Sequence, residues 1–196
     1  MKKALLIGIN DYPGANKLNG CIEDINQVKN AIERNGDDSP NFDVRMLPDV
    51  QTSAEVMGAI EQLFSGNGDA ALLYFSGHGY VNTTGAEIVM PHDISTGTQY
   101  YSGIQMSSIM NVVNKSPIRN KIIILDCCHS GNMGRYNLQD SGSVLNSGVS
   151  ILTACREDET AMEAGGHGLF TEMLCMALNG GASDFCGNIT MGGVYA

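Results

Sequence analysis

Short apolar runs alternate with stretches of helical spacing along this chain. Ala4 to Ile9 reads as a buried strand; after a loop over 10–20, Ile22, Ile25, Val28 and Ile32 recur at the spacing of one helix face. Phe42 to Leu47 is a second strand, ended by Pro48, and Ala54, Met57, Ile60, Leu63 and Phe64 mark a helix behind it. Ala70 to Phe75 and Lys121 to Leu125 are the clearest buried strands, because they are compact apolar runs bounded by glycine or polar turns. Ile151 to Ala154 is a shorter one, followed by a helix with Phe170, Leu174, Ala177 and Leu178 on one face. Strand and helix interleave, which predicts an α/β protein: a mostly parallel sheet with helices on both faces.

Two segments break that rhythm. Within 85–101, the run Ala86 to Met90 predicts a strand of a small hairpin over the sheet edge. The stretch 130–150 is rich in glycine, serine and asparagine without periodicity, and is expected to be a flexible loop. No internal repeat or linker divides the chain, so residues 1–196 are expected to form a single domain. Val194, Tyr195 and Ala196 look like the start of another apolar strand. That pattern fits either a domain truncated at its C-terminus or a complete edge strand over Ile189 to Tyr195.

Composition narrows the function classes. Eleven basic against 21 acidic residues leave a formal charge of −10, with no basic tract to follow a phosphate backbone, so no nucleic acid is expected as partner. No stretch approaches the roughly 20 apolar residues that span a bilayer, and the N-terminal run stops at Asn10 and Asp11. The expectation is a cytoplasmic protein, without a membrane partner and monomeric. The six cysteines show no metal-finger spacing and read as reduced thiols.

The chemistry gathers behind the two best strands. Leu72-Leu73-Tyr74-Phe75-Ser76-Gly77-His78-Gly79 and Ile122-Ile123-Ile124-Leu125-Asp126-Cys127-Cys128-His129-Ser130-Gly131 both close on a strand end, and ligands of parallel sheets bind at the C-terminal rim. A cysteine nucleophile needs an imidazole, because the thiolate attacks and the leaving amine then takes a proton. His78 and Cys128 are 50 residues apart, a separation bridged if their strands lie side by side. The glycines flanking His78 let the backbone approach a substrate, and the N–H groups of Gly79 and Cys128 are the candidate oxyanion hole. Alone, each residue has a structural reading as a satisfied histidine or a core thiol; the pair in matching contexts leaves catalysis and structure both open. Cys127, beside Cys128, is read as turning toward the interior. A zinc site on His78, Cys128 and His129 would lack a fourth ligand at recognisable spacing, so no metal is assigned. No phosphate loop or serine elbow is present.

These motifs resemble the caspase-like cysteine peptidases, and among them the metacaspases and their bacterial relatives, the orthocaspases. The resemblance is carried by Leu6-Ile7-Gly8-Ile9-Asn10, Leu18-Asn19-Gly20-Cys21 with Asp24, the two strand-end motifs, Thr153-Ala154-Cys155, Glu157-Asp158-Glu159-Thr160-Ala161, and the stretch from Gly165 to Leu178. It implies a three-layer caspase-like sandwich, with His78 as catalytic histidine and Cys128 as nucleophile in an acyl transfer through a thioester. It implies cleavage after Arg or Lys in protein or peptide substrates, with Cys21, Asp24, Asp126 and Asp158 lining the pocket. Asp126 also has a reading as a cap on backbone donors, and Glu23 departs from the asparagine common in the early motif. The resemblance requires no cofactor but makes calcium activation possible; the acids permit a hard cation yet show no loop of regular ligand spacing. An enzyme selective for basic residues can process itself at Arg135, the only Lys or Arg between Lys121 and Arg156. Competing readings are a catalytically silent regulatory homologue and a thiol amidase acting on a non-peptide substrate.

Overall fold

Each long apolar run becomes a strand of one sheet. The computed structural model describes residues 1–82, 85–93, 103–127, 147–154, 163–164 and 167–195. Along the chain it runs β1 (Lys2–Gly8), α1 (Cys21–Ile32), β2 (Phe42–Pro48), α2 (Ser53–Leu63), β3 (Ala70–Gly77), β4 (Gly79–Asn82), β5 (Gly85–Ile88), β6 (Ile104–Gln105), α3 (Met106–Lys115), β7 (Asn120–Cys127), β8 (Val149–Thr153), α4 (Leu169–Met176) and α5 (Met191–Tyr195). The main sheet has the order β2-β1-β3-β7-β8, and every neighbouring pair is parallel. A parallel pair needs a long crossover, and α1 and α2 supply two of them.

Strand alternation sorts the side chains into two cores. Leu5, Ile7, Leu73, Phe75, Ile123, Leu125 and Cys127 face α2 and α3, packing with Val56, Ile60, Ile109 and Val113. Ala4, Leu6, Leu72, Tyr74 and Ile124 face the other way, onto Ile25, Val28 and Ile32 of α1 and Leu174 of α4. Helices thus cover both faces, giving the three layers expected, and β3 at the centre is buried along its whole length. Ile25 is fully buried, so its truncation to Ala would cost roughly 2–5 kcal/mol.

The antiparallel set β4-β5-β6 is the hairpin expected at Ala86 to Met90, enlarged by a third short strand. Several boundaries differ from the sequence reading. β3 and β7 run on to Gly77 and Cys127, so Ser76, Asp126 and Cys127 belong to the strands rather than to the loops after them. Val149 and Ser150, expected in the flexible loop, already pair with β7, after Gly148 turns the chain at φ +78°; residues 130–146 lie outside the described ones. Of the two readings of the last apolar run, the edge strand over Ile189 to Tyr195 is not formed: the short helix α5 stands there. Thr190 accounts for this: its hydroxyl accepts from the Gly193 N–H at 3.1 Å and its carbonyl from the Val194 N–H at 3.0 Å, and the pair Gly192-Gly193 offers a strand nothing to pack.

Candidate active site

Parallel pairing brings the ends of β1, β3 and β7 to one rim, with Ser76 opposite Asp126 and Gly77 opposite Cys127. His78 follows β3 directly. Its backbone N–H donates to the Tyr12 hydroxyl at 3.0 Å, and that hydroxyl donates to the Val89 carbonyl at 2.9 Å. The Tyr12 and His78 rings lie 4.4 Å apart, tilted by 58°. Tyr12 is fully buried, and burial keeps its phenol protonated. A Cβ on Gly77 would stand 2.6 Å from the Tyr12 hydroxyl. The first glycine beside the histidine is therefore needed to admit Tyr12, a reason different from the close substrate approach expected of it.

The imidazole is oriented from the loop before α1. Its Nε2 lies 2.7 Å from the Asn16 carbonyl oxygen. A carbonyl only accepts, so Nε2 carries the hydrogen and Nδ1 of the neutral ring is the proton acceptor. Burial lowers the His78 pKa, opposed in part by the Asn16 hydrogen bond, so the ring is neutral at pH 7. The loop is itself tied down: Asn10 Oδ1 accepts from the Cys21 N–H at 2.9 Å, and Asp49 Oδ1 accepts from the N–H groups of Asn10 and Asp11 at 2.7 and 2.9 Å.

The α1 side of the same rim is acidic. Asp24 is 2% exposed, sits in the first turn of α1 and accepts from Ser76 Oγ at 2.8 Å through Oδ2. The helix N-terminus and the serine donor offset part of the cost of burying a carboxylate. Ser76 pairs in register with Asp126, and residues directly opposite in a parallel pair share a face, so the two acids lie on one side of the sheet. Asp126 Oδ2 accepts from the Thr171 hydroxyl at 2.6 Å. Cys21 is buried beside them. Burial pushes its thiol up to about 12, despite a hydrogen bond with Ser76 and with both acids adding to the rise, so Cys21 stays protonated and is a poor nucleophile.

The structure thus brings Cys21, Asp24 and Asp126 together, with His78 at the end of the neighbouring strand; Gly79 opens β4 opposite Ile88. Cys127 packs into the core on the α2 and α3 side. Cys128, Asp158 and Arg135 lie outside the described residues, as do His129 and Cys155. Sequence reasoning missed Tyr12, Asn16, Ser76 and Thr171. Ser76 was within reach, since period-two alternation sets it with Tyr74 on one face; Asn16 acts through its backbone and leaves no side-chain signature.

A parallel sheet between two helical layers, with an anchored histidine and two acids at its C-terminal rim, defines an α/β protein with a candidate active site at that rim. Residues 1–189 match the family model of the caspase domain, and the chain belongs to that family. It is 30% identical over 151 residues to Metacaspase-6 of Arabidopsis thaliana, covering 67% of this chain and 39% of that protein. It is likewise 30% identical over 155 residues to Metacaspase-1 of Candida albicans, covering 67% and 34%, and 31% identical over 146 residues to Metacaspase-1 of Mycosarcoma maydis, covering 66% and 36%. The chain thus spans between about a third and two-fifths of these relatives. Among solved structures, that of pro-sf-caspase-1 aligns over 94% of this chain and 73% of its own with TM-score 0.58 at 14% identity, a likeness of fold.

Proposed function

We propose that this chain is a cysteine endopeptidase that hydrolyses peptide bonds after arginine or lysine in protein or peptide substrates. Cys128 gives its thiol proton to Nδ1 of His78 and attacks the scissile carbonyl carbon, while the N–H groups of Gly79 and Cys128 hold the oxyanion. As the tetrahedral intermediate collapses, His78 returns the proton to the leaving amine and a thioester remains on Cys128. His78 then deprotonates a water, which attacks the thioester carbon; the C–S bond breaks, the acid product leaves, and His78 returns the proton to the Cys128 sulfur. Asp24 and Asp126, joined by Asp158, hold the basic side chain before the cut bond. No cofactor takes part in these steps, and calcium acts, where it acts, as an activator outside them.

One observation carries this reading: two carboxylates sit on one face of the rim that His78 ends, linked through the paired Ser76 and Asp126. Paired acids can hold a guanidinium by charge-assisted bonds of fixed geometry, and an ammonium less specifically, so arginine should outrank lysine. The test is a panel of fluorogenic peptides differing only in the residue before the bond. Arginine first, lysine second and aspartate barely turned over is the expected order, and Asp24→Asn should cut arginine turnover at least about tenfold while moving the melting temperature little. Equal turnover of arginine and aspartate peptides would sink the proposal.

A further inference from the structure

Asp126 is held from behind by a chain of hydroxyls. Thr171, fully buried on α4, donates to Asp126 Oδ2, and the phenol of Tyr74 lies 2.5 Å from the same Thr171 oxygen. An ionised carboxylate has no hydrogen to give, so the single Thr171 hydroxyl hydrogen goes to Asp126; the hydrogen between Tyr74 and Thr171 then comes from Tyr74. Tyr74 is fully buried, and burial raises its pKa well above the ordinary phenol, so it remains a donor. Two aligned donors in a buried setting polarise each other, and the bond that ends on the charge is the strong one.

This relay joins three elements, β3, α4 and β7, on the acidic side of the rim. A tie between helix and sheet alone does not require it, because Leu174 and Cys175 already pack α4 into that core, and burying two hydroxyls is costly unless both are satisfied. We propose that Thr171 and Tyr74 are positioning residues of the specificity pocket: the relay fixes the rotation of the Asp126 carboxylate so that it meets a guanidinium in one orientation. This rests on Asp126 being a pocket acid, as argued above.

The readout is the ratio of kcat/KM for a peptide ending in arginine to that for the same peptide ending in citrulline, which keeps the shape of arginine but not its charge. General damage to the fold lowers both substrates and leaves the ratio in place. Wild-type protein with a ratio near one would refute the reading of basic specificity before any variant is made. With a selective wild type, Thr171→Val, which removes the hydroxyl at nearly constant volume, should lower the ratio about tenfold, and Thr171→Ser should restore most of it. Should Thr171→Val not fold, Tyr74→Phe carries the same test, leaving Thr171 in place and taking away only the second donor; a smaller fall in the ratio is expected. An unchanged ratio in a folded Thr171→Val, or in Tyr74→Phe where it stands in, overturns the positioning role while leaving the specificity intact. Failure of Thr171→Ser to restore the ratio also overturns it.

Discussion

The imidazole of His78 is set by a backbone carbonyl and a tyrosine ring, with burial as the main influence on its charge. Its neutral form is favoured, so its folded pKa lies below 6.5. Between that lowered value and 6.5 the unfolded chain binds more protons than the native one, and this group's contribution to stability is lost as pH falls through that window. In the proposed mechanism the same protonation removes the base that takes the Cys128 proton. The acidic limb of kcat/KM is therefore expected to have its midpoint below 6.5; a midpoint at or above 6.5, measured under conditions where the protein stays folded, would contradict this account of the ring. His78 and Asp126 were legible as residues because their motifs are dense in chemistry. Tyr12 and Thr171 were not: each works by reaching a partner far along the chain, 66 and 45 residues away, which no local pattern records.

Close packing of α1 on β1 positions Asp24. A Cβ on Gly8 would stand 2.3 Å from the Cys21 carbonyl oxygen and 3.0 Å from Ile25 Cγ2, so Gly8 is what lets the first turn of α1, with Asp24 on it, approach the sheet. Gly8→Ala should cost about 1–3 kcal/mol as overpacking, lowering the melting temperature by roughly 2–4 °C per kcal/mol in a chain of this size. It should also depress turnover of arginine peptides by displacing Asp24. Thermal melts and kcat/KM read the two effects, and a variant normal in both would show that the approach is not needed. The main strands could be read from the sequence because each is a compact apolar run with a clear stop. Helix α3 was missed even though Met106, Ile109, Met110 and Val113 have helical spacing and are buried, because it follows the two-residue strand β6 in a stretch that breaks the strand-helix rhythm. The strand ends were placed short because Asp126 and Cys127 look like loop residues, whereas pairing with β3 carries them into the sheet.

At the scale of the whole molecule, the chain carries a formal charge of −10, and under the proposed preference for arginine or lysine its own basic residues become candidate substrates. Arg135 follows Cys128 by few residues, so its cleavage should pass between molecules. A fragment of residues 1–135 is expected in wild-type protein, forming faster per molecule as concentration rises, with intact mass over a dilution series as the measurement. Its absence from an active preparation, or its appearance in Cys128→Ala protein, would contradict self-processing. The most direct test of the whole scheme compares two adjacent cysteines. Cys127 lies in the core on one face of β7, while Cys128 is the proposed nucleophile, so arginine-peptide turnover is measured for wild type, Cys127→Ala and Cys128→Ala at equal folded concentration. Turnover should vanish in Cys128→Ala and persist substantially in Cys127→Ala; near-normal turnover by Cys128→Ala would contradict the mechanism.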